Sequence, residues 1–329
     1  MAEAPEDWRP GCSIEMLRQR AALRKSIRRF FDEREYLEVD VPILSHDIVV
    51  DAHLTPVTTH VNNDDLFLQT SPEAAMKRLL AADSGSIYTI TPAFRADEQG
   101  SLHNPEFTML EWYGVSSTWQ DQMTLIEQLV RTATYDLASA CPTLLNPEPY
   151  HVTTYEQAFA GQLSIDVFLI SDEELKDVVA ARCPGTTGLS DRDDRLNLLL
   201  ATEIEPRLGE TVPEFLIDYP ASQAGLAELS ADDPRVARRF ELYVNGIEIC
   251  NGYQELTDGE ELRRRDVAQQ QRRDHQGAVR LPGARRLLAA MESGMPVSSG
   301  VALGFDRLLM VLSGATDIVD VLPFPFDRA

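Results

Sequence analysis

The chain has 329 residues, 43% of them hydrophobic, which is enough to bury a sizeable core as one large domain or one domain with an insertion. Its 53 acidic residues outnumber 30 basic ones, for a formal net charge of -23, so a polyanion is repelled unless a local basic patch receives it. The acidic start MAEAPEDWRPG lacks the apolar core of a signal peptide, no apolar run approaches the ~20 residues of a membrane span, and Cys12, Cys141, Cys183 and Cys250 form no CxxC pair. The expectation is therefore a cytoplasmic protein with free thiols and no membrane partner. His46, His53 and His60 recur every seven residues, a spacing that suits neither one strand face nor a ligand hairpin, so no metal is expected on them.

Residues 1–13 read as a tail. Leu23, Ile27, Phe30 and Phe31 then form one apolar stripe of a helix whose other face carries Arg24, Lys25, Arg28 and Arg29. Leu37, Val39 and Val41 alternate with acids and predict a strand before Pro42. Leu66–Leu68 reads as a short strand. Thr70-Ser71-Pro72-Glu73 has the form of a helix start, with a hydroxyl cap, proline in the first turn and a carboxylate three residues on.

Ser86–Ile90 and Phe107–Tyr113 predict strands around a loop, and Thr118–Leu137 predicts a helix. Pro142–Pro149 is a connector. The stretch from about 150 to 212 mixes short helices with loops and reads as an insertion or subdomain of a 14–329 domain. Phe215–Tyr219, Phe240–Val244 and Ile247–Cys250 are predicted strands. Glu260–His275 is a polar helix, and Val301–Leu312 opens on glycines and continues as an apolar helix. Short loops join several strand pairs, so the fold class is α+β with a largely antiparallel sheet.

Three clusters carry chemistry. Phe94-Arg95 and HNPEFTMLEWY, His103 to Tyr113, bring an arginine, a histidine, an aromatic ring and carboxylates together. Strand alternation puts Phe107, Met109, Glu111 and Tyr113 on one face. A carboxylate on such a face needs a cationic partner. In FELYVNGIEICNGYQELTD, Phe240 to Asp258, Glu241 and Glu248 flank an Asn245-Gly246 turn. Facing carboxylates there repel unless a cation such as Mg2+ lies between them. Asn251, Tyr253 and Glu255 alternate on the next strand as a pocket wall. In GVALGFDRL, Gly300 to Leu308, glycines admit a ligand close to the backbone and Arg307 can reach phosphate.

Together, in this order, these clusters resemble the three motifs of class II aminoacyl-tRNA synthetases. The first helix with Pro42 is similar to motif 1, Arg95 through Tyr113 to motif 2, and Gly304-Phe305-Asp306-Arg307 to motif 3. TSPE, HNPEFTMLE and the NGYQEL run resemble the lysine-specific branch. The likeness extends from about residue 14 to the end and leaves no room for the N-terminal anticodon-binding domain of lysyl-tRNA synthetases. The motif 2 loop, Ala96 to Leu102, carries two acids and no base. A stand-alone core of this length, with YPASQAGLA and SSGVALG, resembles the family of elongation factor P–(R)-β-lysine ligases.

The resemblance implies a homodimeric, ATP-dependent ligase that activates β-lysine as an adenylate and passes it to a lysine of elongation factor P, with tRNA not expected as a partner. It implies Arg95 and Arg307 as the catalytic cations, and Ala96, Asp97, His103, Asn104, Phe107, Glu248, Ile249 and Gly304 beside them at ATP. It implies Glu241 and Glu248 as ligands of Mg2+. Ser71, Pro72, Glu73, Glu111, Tyr113, Asn251, Tyr253, Glu255 and Ala302 would line the amino-acid pocket. Asp97 stands where the motif 2 pattern has glutamate, with Glu98 next. Ala302 stands where lysyl-tRNA synthetases resemble a glycine. The alternatives are a truncated lysyl-tRNA synthetase core that charges tRNA, an idle paralogue, and an ammonia-dependent asparagine synthetase.

Overall fold

The computed structural model describes residues 8–186, 188–189 and 191–329. Of the expected N-terminal tail, residues 1–7 lie outside the described residues. Gly11 N–H donates to Pro323 O, which fastens the described start to the C-terminal segment.

In chain order, α1 (Ile14–Asp32) leads to β1 (Leu37–Glu38), β2 (Leu44–Ser45), β3 (Thr58–Val61) and β4 (Asp64–Leu68). Then come α2 (Glu73–Ala81), β5 (Ile87–Phe94), β6 (Glu106–Val115), α3 (Trp119–Asp136), α4 (Pro142–Leu145), β7 (His151–Thr154), α5 (Tyr155–Leu163), α6 (Asp172–Arg182) and α7 (Arg192–Leu199). The C-terminal part adds β8 (Glu214–Pro220), β9 (Val236–Val244), β10 (Ile247–Gln254), α8 (Gly259–His275), α9 (Arg285–Gly294), β11 (Ser298–Gly304) and α10 (Phe305–Ser313).

Eight strands form one sheet in the order β1-β5-β6-β11-β10-β9-β8-β7, and β2-β4-β3 form a small second sheet. Only the outer pairs of the large sheet, β1–β5 and β7–β8, are parallel. Every pair between them is antiparallel, as the short connections predict. The β9–β10 turn is Asn245-Gly246, both at positive φ (53° and 75°), the conformation a tight hairpin requires.

Register sorts the side chains. Leu110, Leu303, Cys250 and Leu242 stand opposite one another across β6, β11, β10 and β9, and all four join the main core. One residue along, Glu111, Ala302, Asn251 and Glu241 form the next row and therefore face the other way. Helices α1, α3 and α10 cover the apolar face. Leu23, Ile27, Phe30 and Phe31 are buried there against Tyr88, Trp112 and Leu129, and Phe31 stacks on Tyr88 at 4.6 Å. The α1 stripe is thus spent inside its own chain and is not a free face awaiting a twin. Helices α5 to α7 build a second core with Leu216, Tyr219 and Tyr243 of the sheet.

Four sequence expectations need correction. The strand predicted over 37–41 is two residues long, because Val39 and Val41 turn to pack against α2. Helix α2 has Pro72 at its cap and no side-chain cap bond; Thr70 and Ser71 face the cavity described below instead. Residues 301–304 belong to β11, and the helix starts only at Phe305. Residues 247–254 are one strand with an irregularity between Glu248 and Cys250, not two.

Arg20 locks three elements together. It pairs with Asp306 of α10 at 2.5 Å and donates to Thr108 Oγ1 of β6 at 2.6 Å. Asp306 Oδ2 accepts the Thr108 N–H at 2.7 Å. Asp306 is buried, so removing its cation leaves an uncompensated charge, a loss of ~3–5 kcal/mol. Arg20→Met should lower the urea midpoint accordingly, with an unchanged slope. An unaltered midpoint would show the pair to be dispensable.

Candidate active site

The polar rows of the sheet floor a cavity of ≈ 720 Å³, walled by α8 and by residues 49–54 and closed at its side by the start of α2. Phe107 and Glu111 both line it, four residues or ~13 Å apart along β6. Acids gather around the Glu111 end, whereas arginines gather around the Phe107 end.

At the acidic end, Glu73 and Glu111 line the cavity together with Ser71, Asn251, Tyr253 and Ala302. Glu111 Oε1 accepts from Tyr113 Oη at 3.3 Å, and its Oε2 has no partner. Glu73 Oε1 accepts from Tyr253 Oη at 3.1 Å and from Lys77 Nζ at 2.5 Å. The same Nζ lies 2.5 Å from Glu255 Oε2. Burial, then the neighbouring Glu73, push the Glu111 carboxyl well above its usual range. Burial likewise drives Glu255 up to about 8, against the pull of Lys77. Three expected pocket residues, Pro72, Tyr113 and Glu255, stand behind the wall rather than on it. Glu255 lies there because Gly300, between Tyr113 and Tyr253 in the register, leaves a niche: a Cβ at 300 would collide with Glu255 Oε1 and the Tyr113 ring.

At the other end, the Arg95 guanidinium sits 5.1 Å from the Phe107 ring centroid and donates to Glu98 Oε1 at 3.1 Å. Its buried Nε has no partner. Arg307 donates to Glu248 Oε2 at 3.0 Å, to Leu102 O at 3.3 Å and to His103 Nε2 at 2.7 Å. Burial, then the charge of Arg307, lower the His103 pKa, so its ring is neutral and accepts at Nε2. Burial works against the Glu248 carboxylate, but Arg307 outweighs it and holds Glu248 below its usual range. Ile249 and Gly304 complete this wall. The Asn104 side chain is already engaged, donating to Glu106 O at 2.6 Å and accepting from Phe326 N–H at 3.0 Å.

Motif 2 requires a correction. Ala96 and Asp97 are exposed and lie outside the cavity, whereas Glu98 lines it and holds Arg95. The acid that serves Arg95 is displaced by one residue along the loop.

The expected metal pair also differs from the sequence reading. Across the hairpin, Glu241 faces Asn251, and Glu248 faces Tyr243. Glu241 accepts from Arg239 at 2.7 Å and Asn251 at 3.2 Å on Oε1, and from Tyr219 at 2.5 Å and Tyr243 at 2.6 Å on Oε2. Four donors fill its lone pairs. Glu248 uses only Oε2, for Arg307. Among the described residues no group of three or more His, Cys, Asp or Glu side chains could hold a metal ion. The donor chemistry fits a magnesium ion that takes most of its oxygens from phosphates and water and only Glu248 from the protein.

The cavity thus pairs a cationic, aromatic-flanked half with an anionic half, as an enzyme joining a nucleoside triphosphate to an amine-bearing acid needs. The sequence model of class II tRNA synthetases (D, K and N) matches residues 7–328. The chain belongs to this family. Among curated relatives, it is 44% identical to the elongation factor P–(R)-β-lysine ligase of Vibrio vulnificus strain YJ016, over 98% of this chain and 99% of that protein. It is 43% identical to the protein of that name from Vibrio cholerae serotype O1, with the same coverage. It is 41% identical to that from Salmonella gallinarum, over 98% of both. As a class II synthetase-type ligase it uses ATP.

Sequence reasoning missed Lys77, Glu98, Arg239 and Glu205. The period of α2 could have revealed Lys77, four residues after Glu73 and beside the inward Met76 and Leu80. Glu205, pushed up to about 7 by burial and then by Glu241 and Glu248, comes from the far end of the 150–212 stretch, and no local pattern marks it.

Glu98→Ala should raise the KM for ATP about tenfold, because a charge-assisted hydrogen bond contributes ~1.5–3 kcal/mol and this one is partly exposed. Asp97→Ala should change it less than about twofold. Pyrophosphate exchange kinetics check both, and the reverse ranking would restore Asp97 as the motif's acid.

Proposed function

We propose that this chain activates (R)-β-lysine with ATP and transfers the β-lysyl group to the ε-amine of one lysine of elongation factor P. The observation that carries the reading is the division of one cavity. Glu73 and Glu111 line the half suited to a diammonium substrate, and Arg95 and Arg307 line the half suited to a triphosphate. The names of the relatives agree with it.

In the first step a carboxylate oxygen of β-lysine attacks the α-phosphorus. A new P–O bond forms, and the bond to pyrophosphate breaks. Arg95 neutralises charge at the reacting phosphate, with its partnerless Nε available as a donor. Arg307, fixed by Glu248, Leu102 and His103, receives the outer phosphates. Phe107 offers a ring face to adenine, beside Arg95. Magnesium, when bound with the nucleotide, would sit on Glu248 and offset phosphate charge. In the second step the neutral amine of the acceptor lysine attacks the activated carbonyl carbon. The C–N bond forms, AMP departs, and the amine proton passes to solvent. No side chain of this chain is acylated, so positioning and charge stabilisation carry the rate.

A protein acceptor is favoured over tRNA by the net charge of -23 and by a motif 2 loop bearing Asp97 and Glu98 without a base. The reaction is proposed to run in the cytoplasm; among the described residues no helix is long and apolar enough to cross a membrane. We further propose a homodimer formed over the exposed Leu37, Ile43 and Leu44 beside the β1 edge, and light scattering at micromolar concentration should give twice the chain mass.

The test of function is pyrophosphate exchange with (R)-β-lysine and α-lysine, followed by the intact mass of elongation factor P after incubation with enzyme, ATP and β-lysine. A gain of one β-lysyl group on a lysine side chain is expected. Charging of tRNA with no gain on the factor would transfer the assignment to the tRNA reading.

Ala302 decides between the isomers. Its methyl stands between Glu111 and Asn251 in the cavity floor, where the amino branch of the substrate must fit. Ala302→Gly should shift the ratio of activation rates from β-lysine toward α-lysine by ~10–200-fold. An unchanged ratio would reduce Ala302 to a packing residue.

A further inference from the structure

Lys77 is a buried lysine with no direct part in the chemistry above. It projects from α2 four residues after Glu73, its side chain is 2% exposed, and it does not line the cavity. Its ammonium lies 2.5 Å from Glu73 Oε1 and 2.5 Å from Glu255 Oε2. It also stands 5.5 Å from the Tyr253 ring centroid. The groups around it are Glu73 from α2, Tyr253 near the end of β10, Glu255 just after that strand, and Glu111 from β6. Burial alone would lower the Lys77 pKa, but Glu255 and Glu73 outweigh it and hold the ammonium above its ordinary range.

Stability gives no reason for the ion triad as a whole. A buried ion triad contributes no more to folding than well-packed apolar residues of the same volume, and Met76 and Leu80 beside it are apolar already. The charge count gives a reason. Glu73, Glu111 and Glu255 would carry three negative charges, and Lys77 reduces the sum to two. A substrate with two ammonium groups carries two positive charges. Glu111 Oε2 and Glu255 Oε1 have no hydrogen-bond partner within the chain, so acceptor capacity remains after Lys77 has taken its share.

We propose that Lys77 is a positioning residue for the amino-acid substrate, one that sets the charge of the ligand-bound pocket at two negatives and holds Glu73 and Glu255 in place. This rests on the reading of the substrate as a diammonium acid. Burial already raises Glu111 and Glu255 in the free chain; without Lys77, repulsion among the three carboxylates raises them further, so the proton they hold at neutral pH is bound more tightly. A diammonium ligand must then displace that proton. Affinity falls at neutral pH, recovers as pH rises, and more protons are released on binding.

The test is calorimetric binding of (R)-β-lysine, α-lysine and 1,4-diaminobutane to the full chain, from about pH 6 to about pH 9, in buffers of differing ionisation heat. Lys77→Met should weaken (R)-β-lysine binding by about tenfold or more at neutral pH. It should increase proton release and move the pH dependence to the alkaline side, with ATP affinity within about twofold of wild type. Lys77→Arg should retain most of the affinity. The double variant Lys77→Met/Glu255→Gln removes one charge of each sign and should bind more tightly than Lys77→Met alone, and it carries the test if Lys77→Met does not fold. Equal loss of ATP and amino-acid binding, or wild-type proton release in Lys77→Met, would overturn the proposal and leave Lys77 a structural residue. If the wild-type chain binds none of the three ligands, the diammonium reading itself fails, and the proposal with it.

Discussion

Strand register across β6, β11, β10 and β9 is the constraint on which the molecule depends. A one-residue alternation sends Leu110, Leu303, Cys250 and Leu242 into the core and Glu111, Ala302, Asn251 and Glu241 to the cavity. A slip of one residue in any of these strands would bury carboxylates under α1, α3 and α10 and empty the site of acids. Core and site are therefore specified by the same hydrogen-bond ladder. The tight Asn245-Gly246 turn and the Arg20 bridge between α1, α10 and β6 hold that ladder in place.

Having placed ionisable groups on a buried face, the fold must neutralise them. It does so with arginine and lysine drawn from the flanking helices or from the strands themselves. Arg307 at the start of α10 holds Glu248, Arg239 on β9 holds Glu241, and Lys77 on α2 holds Glu73 and Glu255. Each cation takes only part of the acceptor capacity around it, except at Glu241, where two tyrosines and Asn251 complete the set. Glu241 thus resembles a fixed structural anion more than a free ligand, and Glu248 keeps an oxygen for exchange.

Much of this was legible in the sequence. The antiparallel α+β class followed from short loops between strands, and the class II family from Arg95, HNPEFTMLEWY and GFDR. The period of two on β6 put Phe107 and Glu111 on one face without any coordinates. What failed was local detail governed by distant partners. Thr70 reads as a cap and instead faces the cavity. Asp97 occupies the motif position, yet loop geometry hands the Arg95 contact to Glu98. The apolar stripe on α1 does not say what covers it, and α3, β5 and β6 do. Lys77 hid because a lysine in a helix normally reads as solvent-facing, and only the two carboxylates from distant positions explain its direction.

Strand β11 separates two properties that most pockets entangle. It contributes no ionisable group to the cavity floor, only Ala302 and Gly304, while the flanking strands β6 and β10 supply the acids and polar groups. Adding or deleting a methyl on β11 changes the contour of the floor without altering any charge beside it. Gly300 is closed to such change, because its missing side chain is the space Glu255 occupies. Position 302 is open to it. Divergence between isomeric substrates could therefore proceed through a single neutral strand, with the electrostatic frame inherited intact.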